Sequence, residues 1–497
     1  MPAELPPYHP LTVLRDWGSI SPGAAFRISD ATTGVVCFGA TGSGKTSGPA
    51  KHLAMAYLAH GFGGLVCCAK KEERAQWEEW AEAAGRWNRK TQTGDLIIID
   101  KSGKWRFNFL DWEASRPGEG GGLTINIVAL IDEIAGAIAG GAGKAQDGGG
   151  DNKFFEDALH HMNTNLVDLP LFANLPVSLP LMRSIVNTAP QSAADVLSEK
   201  WQETSTCAAI LREADAATKD ADEDTRADFE ECRAYWLQEY PVLSEKTRSI
   251  ITLSFSMLVR PFITRPLRKL FATDTNVTPE AAFDGKVIII DLPVQEFRLA
   301  GRVANLVWKY CFQVATLRRM PPTDGTYLRP VFCWADEAQN FLTEFDSTWA
   351  AVARSAGGCF CLMVQNRESM LRVLHSAAAV DSLLGNLQAK FFCQNSGETN
   401  EWASKLLGER WTHIFGTNVG RSNSQAPGAD PTVIGGVTRS EQHRRYIEPA
   451  QFTTLKRGGP KNNYQVESVV YNGGAEFVSG NGQDEPLPYV LLTFNQR

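Results

Sequence analysis

The sequence lacks the features that mark a secreted or membrane-spanning protein. No run of 18 uncharged apolar residues occurs, and the best candidate, 125–140, is interrupted by Asp132 and Glu133. The first residues also lack the basic-then-apolar pattern of a signal peptide. These absences predict a cytoplasmic protein without a membrane span, which a partner could bring to a membrane.

Paired cysteine motifs are missing as well. The ten cysteines stand singly or as Cys67-Cys68 and Cys359-Phe360-Cys361, and none forms a CxxC motif or a cluster with histidine at metal-ligand spacing. Several fall in apolar, strand-like runs, which indicates buried free thiols. A reducing cytoplasm is therefore expected, and a disulfide framework is not.

The chain has no excess of positive charge, since its formal net charge is −7. The segment 213–231 contains nine acidic residues and two basic ones, which leaves 47 of the 56 acids and 47 of the 49 bases for the rest. An acidic helix face of this kind is typical of a solvated surface. The overall acidity therefore does not exclude a basic channel elsewhere.

What the sequence does contain is a complete phosphate-binding loop directly behind an apolar run at 34–38. Residues 39–46 read GATGSGKT and match the pattern GxxxxGK[ST]. Its glycines let backbone N–H groups turn toward a phosphate, Lys45 reaches the β/γ oxygens, and Thr46 offers a hydroxyl to Mg²⁺. We predict that ATP and Mg²⁺ bind here, and that the nucleotide contacts Gly39, Thr41, Gly42, Ser43, Gly44, Lys45, Thr46 and Ser47.

Continuous apolar runs, several of them separated by helical stretches, predict a doubly wound α/β fold with a mainly parallel sheet. The predicted strands are 34–38, 64–68, 95–100, 287–292, 330–335, 358–364, 389–393 and 489–494, and the predicted helices include 48–60, 72–85, 301–319 and 399–407. Strand signals vanish between 115 and 278, which predicts an inserted all-α domain. A stretch rich in Gly, Ser, Asn and Pro at 416–443 predicts a loop or flexible hairpin.

These patterns predict a division of the chain into four segments. They are an N-terminal segment 1–30, a first part of the nucleotide-binding domain 31–114, the all-α domain 115–278, and a second part of the nucleotide-binding domain 279–497.

An acidic pair follows the predicted strand 330–335. Asp336 is predicted to hold Mg²⁺ together with Thr46, and Glu337 to polarise the attacking water. Paired acids can also be an ordinary solvated strand end, but the complete phosphate loop upstream favours the catalytic interpretation.

Two further residues lie around the next strand, 358–364. Gln365 follows it and is predicted to contact the γ-phosphate or the water, although a polar strand cap is the simpler alternative. Arg354 precedes it at a helix end. Spacing alone leaves Arg354 either as a cap on the helix dipole or as an arginine finger that reaches a neighbouring subunit's γ-phosphate.

With these motifs the sequence resembles the coupling ATPases of type IV secretion and conjugation. This TraG/TraD-like family belongs to the FtsK/HerA class of ring-forming P-loop ATPases. The resemblance spans 30–497 and rests on GATGSGKTS at 39–47, PVFCWADEAQNF at 330–341, RSAGG at 354–358, LMVQN at 362–366, LLGERW at 406–411, NKFF at 152–155 and YIEP at 446–449.

The resemblance implies a RecA-like P-loop NTPase core with an inserted all-α domain. It further implies a homohexamer in which Lys45, Glu337 and Gln365 act on ATP and Arg354 acts in trans. DNA, duplex or single-stranded and bound without sequence preference, would occupy the central channel. A secretion-system or relaxase-type protein would be a partner.

Two departures from the family pattern stand out. Members usually begin with transmembrane helices, whereas this sequence reaches its phosphate loop within forty residues, so we expect a form without those helices. The loop after the second strand reads CAKKE at 68–72 rather than an Asp-Pro-Lys-Gly-Glu type segment. The role of Lys70 and Glu72 in this loop is left open.

The leading hypothesis is an ATP-hydrolysing hexameric motor that translocates DNA in conjugative or type IV secretion-type transfer. The alternatives are an ATP-dependent switch or assembly ATPase that binds proteins in a mobile-element or phage-defence system, and a translocase of protein cargo. The basic stretches 260–269, 318–319 and 444–445 lack the alternating aromatic residues of a single-strand stacking platform. No DNA-contacting residue is therefore predicted.

Overall fold

The computed structural model describes residues 5–139, 150–422, 432–478 and 486–497. The strands are β1 (Val13–Asp16), β2 (Ala25–Arg27), β3 (Val35–Phe38), β4 (Gly63–Cys67), β5 (Trp87–Asn88), β6 (Thr93–Gly94), β7 (Leu96–Ile99), β8 (Val287–Ile290), β9 (Val331–Ala335), β10 (Gly358–Val364), β11 (Ala389–Phe392), β12 (Glu409–Ser422), β13 (Thr432–Arg445), β14 (Gln465–Asn472), β15 (Phe477–Val478), β16 (Pro486–Leu487) and β17 (Val490–Asn495).

The helices are more numerous than the strands. They are α1 (Ile28–Thr32), α2 (Lys51–Ala59), α3 (Glu73–Ala83), α4 (Phe109–Ala114), α5 (Thr124–Ala139), α6 (Gly150–Phe172), α7 (Leu179–Thr188), α8 (Ala193–Val196), α9 (Glu199–Thr204), α10 (Thr206–Ala217), α11 (Glu223–Ala234), α12 (Glu245–Val259), α13 (Leu267–Phe271), α14 (Val294–Leu317), α15 (Phe345–Val352), α16 (Arg367–Leu374), α17 (Ala377–Asn386), α18 (Glu398–Leu407) and α19 (Pro449–Phe452). None of the helices in the described ranges combines the length and apolar character needed to cross a bilayer.

The centre of the molecule is a nine-stranded sheet with the order β17-β14-β11-β3-β10-β9-β4-β8-β7. The seven strands from β11 to β7 run parallel, and β14 and β17 close one edge in antiparallel pairing. All eight predicted strands are present. The ninth, β14, was not predicted, because the polar residues Glu467 and Ser468 interrupt its apolar run.

Alternate side chains of the parallel strands enter two different cores. On β3, Val36 and Phe38 face a core shared with the helical region, whereas Val35 and Cys37 face a core shared with α2, α3 and the antiparallel edge. Both faces of the parallel sheet are thus covered, which explains why its strands are continuously apolar.

The segment between β7 and β8 contains no strand in its described residues, 100–139 and 150–286, where helices α4 to α13 are joined by turns and loops. β7 and β8 are nevertheless neighbours in the sheet, with Leu96 opposite Val287. The helical region therefore leaves the sheet and returns to the adjacent strand. This agrees with a helical insertion, while the four domain boundaries stay a prediction.

A long hairpin extends from the end of α18. Its strands β12 and β13 each have 14 residues and pair from Glu409 opposite Arg445 to Ser422 opposite Thr432. The stretch predicted as a loop or flexible hairpin falls within it, and residues 423–431 of that stretch lie outside the described residues.

A buried ion pair joins α14 to α15, the helix that follows β9. Lys309 Nζ lies 2.6 Å from each carboxylate oxygen of Asp346, and the two side chains are 2% and 0% exposed. Gln313 Nε2 and the backbone N–H of Thr343 also donate to this carboxylate, each at 2.8 Å. The pair is thus hydrogen-bonded on both oxygens, as a buried charge requires.

We predict that Asp346→Ala lowers the free energy of unfolding by about 3–5 kcal/mol, because it leaves the Lys309 charge buried and unpaired. Urea unfolding followed by circular dichroism measures this. The control is Asp381→Ala, which removes the exposed partner of Arg367 from a pair that is open to solvent on the aspartate side and should cost about 0–1 kcal/mol. Equal losses in the two variants would contradict the importance of the buried pair.

Candidate functional site

Three strands bring the candidate site together at one edge of the sheet. β10 lies between β3 and β9, with Val364 opposite Phe38 and Leu362 opposite Ala335. Because the three strands are parallel, the segments that follow them meet at their carboxyl ends. The phosphate loop, the acidic pair and Gln365 therefore share this edge, as expected for the crevice of a doubly wound sheet.

The phosphate loop has the conformation that its glycines permit. Gly42 and Gly44 have φ values of +73° and +85°. A Cβ on Gly44 would lie 2.5 Å from Val466 Cγ2, and one on Gly39 would lie 2.3 Å from Ser43 Oγ. Only glycine is accommodated at these close approaches. The chain then passes through a π-helical turn, Thr46–Ala50, into α2.

Thr46 and Asp336 provide two neighbouring oxygen donors. Thr46 Oγ1 donates to Asp336 Oδ2 at 2.9 Å, and Asp336 is 3% exposed. Hydroxyl and carboxylate oxygens are the ligands that Mg²⁺ prefers. These two residues, which the sequence predicts as metal ligands, could together hold one Mg²⁺ ion.

Glu337 is the centre of a hydrogen-bonded cluster. Its backbone is left-handed, with φ of 48°, a conformation uncommon outside glycine. Lys45 Nζ lies 3.4 Å from its Oε1, and Gln365 Nε2 and Gln339 Nε2 donate to its Oε2 at 3.1 and 2.8 Å. The structure thus brings Lys45, Glu337 and Gln365 into direct contact, and their catalytic roles stay predictions.

Lys70 is a member of the site whose role sequence reasoning left open. Its Nζ lies 2.8 Å from Glu337 Oε1 and 3.7 Å from Asp336 Oδ2. Lys70 follows β4, which is the neighbour of β9 on the side away from β10. The available signal was therefore its position just after a predicted parallel strand.

The two lysines hold the Glu337 carboxylate in its charged form. Burial by itself raises the pKa of Glu337, but the hydrogen bond from Lys70 and the charge of Lys45 lower it from 4.5 to about 2. Burial likewise opposes the charge of Lys70, and the acidic pair outweighs this and raises the pKa of Lys70 above its ordinary value.

A buried carboxyl group fixes the backbone beside Lys70. Glu73 accepts hydrogen bonds from the backbone N–H groups of Ala69 and Lys70 at 2.9 and 3.2 Å. Burial and the nearby charge of Asp336 raise the pKa of Glu73 well above its usual range. The sequence analysis did not identify this residue.

A cleft of about 490 Å³ contains these groups. The phosphate loop lines it from Ala40 to Ser47, together with Lys51, Lys70, Glu72, Glu73, Gln76, Trp80, Asp336, Glu337, Arg457 and Gln496. The Ser43 hydroxyl in its wall is buried and has no hydrogen-bond partner among the described residues. A polar group without a partner, a glycine cradle and several cations make the cleft suitable for a polyphosphate.

The antiparallel edge of the sheet supplies a second wall that local motifs do not reveal. Arg457 Nη2 lies 3.5 Å from the carbonyl oxygen of Thr41, and Gln496 Nε2 donates to Ser47 Oγ at 2.6 Å. Both residues come from segments that flank β14 and β17, far from the phosphate loop in sequence.

Arg354 does not join the site of its own chain. It lies in the 3₁₀ turn Ala353–Ala356 before β10, so it is at the amino edge of the sheet, opposite the phosphate loop. Its side chain is exposed and forms no hydrogen bond or ion pair with any residue that the structure describes. Arg354 is the basic residue in the last turn of this short helix, so the helix-dipole alternative stays open beside the arginine-finger role, which stays a prediction.

Two comparisons with known proteins find similar sequences and folds. Residues 330–457 match the family model described as the TraM recognition site of TraD and TraG. The unbound conjugative coupling protein TrwB aligns with a TM-score of 0.54 and 14% identity over 97% of this chain and 90% of that one. TrwB with the ATP analogue ADPNP gives 0.55 and 14% over 98% and 90%, and TrwB with ADP and Mg²⁺ gives 0.55 and 12% over 98% and 88%.

A search of curated protein sequences finds no match. The resemblance to the coupling ATPases stated from the sequence is confirmed by the family model and by the fold of TrwB. The expected fold class, an α/β RecA-like P-loop core with a helical region, is confirmed by the same structural likeness.

We predict that Lys70→Met destabilises the protein more at pH 7 than at pH 3.5. Because the pKa of Glu337 is about 2 when folded and 4.5 ordinarily, its charge stabilises the folded state above pH 4.5, and this contribution falls as the pH approaches 2. Removing Lys70 lessens that contribution. Urea unfolding at both pH values measures it.

Lys71→Met is the control, since the Lys71 side chain is 73% exposed and meets only Glu296, at 3.8 Å, among the described residues. It should show no such pH dependence. A Lys70→Met penalty of the same size at both pH values would mean that Lys70 does not hold the charge of Glu337.

Proposed function

We propose that this chain is an ATPase that translocates DNA as a homohexameric ring, in conjugative or type IV secretion-type transfer. The observation that carries the proposal is the contact of Glu337 and Asp336 with Lys45 and Thr46 across the cleft. A phosphate loop alone would support only nucleotide binding. An acidic pair against it adds a metal ligand and a group that can prepare water.

The residues divide the work of hydrolysis among them. Bound ATP with Mg²⁺ would supply the phosphoryl group and the charge that neutralises its oxygens. The loop N–H groups and Lys45 bind the phosphates, and Thr46 and Asp336 hold the metal. Glu337 orients the attacking water. Gln365 donates a hydrogen bond to Glu337 and contacts the γ-phosphate or this water.

Both comparisons support the coupling-protein part of the proposal. TrwB is described as a conjugative and plasmid coupling protein and has been solved with ADPNP, GDPNP, and ADP with Mg²⁺. The family model over 330–457 supports a protein partner from a conjugation system. Glu337 in the cleft, with Gln365 hydrogen-bonded to it, argues against a scaffold that never hydrolyses ATP. The proposal places the chain in the cytoplasm, from which the partner from the conjugation system recruits it to the membrane.

We predict that DNA stimulates ATP turnover and that raising the salt from about 50 to 200 mM weakens the stimulation, because phosphate contacts release counterions. Phosphate release is measured with no polymer, with duplex DNA and with single-stranded DNA. Lys45→Ala and Glu337→Gln should abolish turnover, whereas Glu344→Gln, an exposed acid nearby, should not. Absence of stimulation at either salt would contradict the DNA motor, and absence of any turnover would contradict the ATPase.

We predict that Arg354→Ala lowers turnover on the order of 10³-fold, the effect of removing an arginine finger, without loss of ring assembly. Mixing it with Lys45→Ala should restore part of the activity, because some interfaces then combine an intact loop with an intact arginine. Arg372→Ala, an exposed arginine on α16, is the matched control. Fully assembled Arg354→Ala rings with normal turnover would exclude the finger.

A further inference from the structure

The hairpin β12–β13 carries all its described aromatic side chains on one face. Alternate residues of a strand point to the same side, and the pairing sets Trp411 opposite His443 and Phe415 opposite Arg439. We call this the aromatic face. It comprises Glu409, Trp411, His413, Phe415 and Thr417 on β12, and Val437, Arg439, Glu441, His443 and Arg445 on β13.

The aromatic face is open to solvent. Trp411, Phe415 and Val437 are 68%, 65% and 71% exposed. At the base, Arg445 Nη1 donates to Glu401 Oε2 of α18 at 2.8 Å. Beyond the base, the described hairpin side chains form hydrogen bonds and ion pairs only with each other. Exposed rings on a two-stranded ribbon indicate a surface that binds something.

The aromatic face carries one arginine, Arg439, that forms no ion pair with any described residue and can meet an anionic ligand. Arg439 is exposed, and its Nη2 lies 2.7 Å from His413 Nε2. The two acids of the face are each held by a histidine, with Glu409 Oε2 2.7 Å from His443 Nδ1 and Glu441 Oε1 3.3 Å from His413 Nδ1. Of the four arginines in 409–417 and 436–445, Arg439 and Arg445 lie on this face beside Glu409 and Glu441, whereas Arg410 and Arg444 lie on the opposite face.

We infer that the aromatic face binds single-stranded nucleic acid, with bases stacked on Trp411 and Phe415 and a phosphate paired with Arg439. Aromatic rings beside a cation are the elements of a sequence-tolerant single-strand platform. A duplex does not offer its base faces for this contact. The inference deepens the proposed function, on which it rests for its biological role, by naming the strandedness of the DNA and the element that contacts it.

The linear sequence does not display this platform. The arginine of the platform, Arg439, comes from β13, and its two rings, Trp411 and Phe415, come from β12. The arginine and the rings are therefore brought together only by the pairing of the two strands.

The test is the affinity of the full-length chain for a fluorescein-labelled oligo-dT and for a labelled duplex of equal length, measured by anisotropy. Trp411→Ala with Phe415→Ala should weaken oligo-dT binding by about tenfold or more for each ring removed, and Trp411→Phe should retain most of it. Thr412→Ala with Gln442→Ala, on the opposite face, is the matched control. Arg439→Gln should reduce the slope of log affinity against log salt by about 0.7.

Three outcomes would overturn the inference. The first is unchanged oligo-dT affinity in the Trp411→Ala, Phe415→Ala variant, and the second is an equal loss of duplex binding in that variant. The third is a change of oligomeric state in sedimentation that accounts for the whole loss of binding, which would make the face an interface between copies of the chain. The same assay with Lys45→Ala separates the site from the motor. If oligo-dT binding depends on Trp411 and Phe415 but DNA does not stimulate turnover, the binding site is supported and the DNA motor is contradicted. If DNA stimulates turnover but binding does not depend on these two residues, only the binding site is contradicted.

Discussion

The parallel pairing of β3, β10 and β9 is the constraint on which the rest of the structure depends. It brings the carboxyl ends of three strands to one edge, so Lys45 and Glu337 make contact across a sequence separation of 292 residues. The helical region does not disturb this edge, because it departs from β7 and returns to the neighbouring β8. The large insertion is thus accommodated at the β7 end of the sheet, where β7 and β8 pair directly although the helical region separates them in sequence.

At this edge two lysines share their positive charge between two neighbouring acids. Glu337 accepts from Lys45 and Lys70, while Asp336 meets Lys70 and Thr46. Any triphosphate that enters the cleft must compete with Glu337 for the same two ammonium groups. When Lys45 and Lys70 pair with the phosphates, their attraction to the Glu337 carboxylate weakens. Phosphate binding therefore frees Glu337 to interact with water.

Much of the sheet and of the site follows from the sequence because both rest on local patterns. Each local feature can be recognised within about ten residues of sequence. This holds for the continuous apolar strands, the glycine-rich loop and the acidic pair. Arg457 and Gln496 carry no such signal, and Lys70 has only its position after a predicted strand, because their places in the cleft depend on which strands are neighbours. β14 was not predicted because Glu467 and Ser468 interrupt its apolar run, and the hairpin surface was not predicted because Arg439 and the two rings come from different strands.

The wall formed by the antiparallel edge has a consequence for how the protein is made. Val466 packs over Gly44, and Gln496 bonds to Ser47, a residue 449 positions earlier. At about 5–20 residues per second, translation from Ser47 to Gln496 takes roughly 20–90 s. During that interval the glycine-rich loop emerges from the ribosome without one of its walls. The nucleotide cleft is therefore completed only after β14 and β17 have been translated, however early its phosphate loop is made.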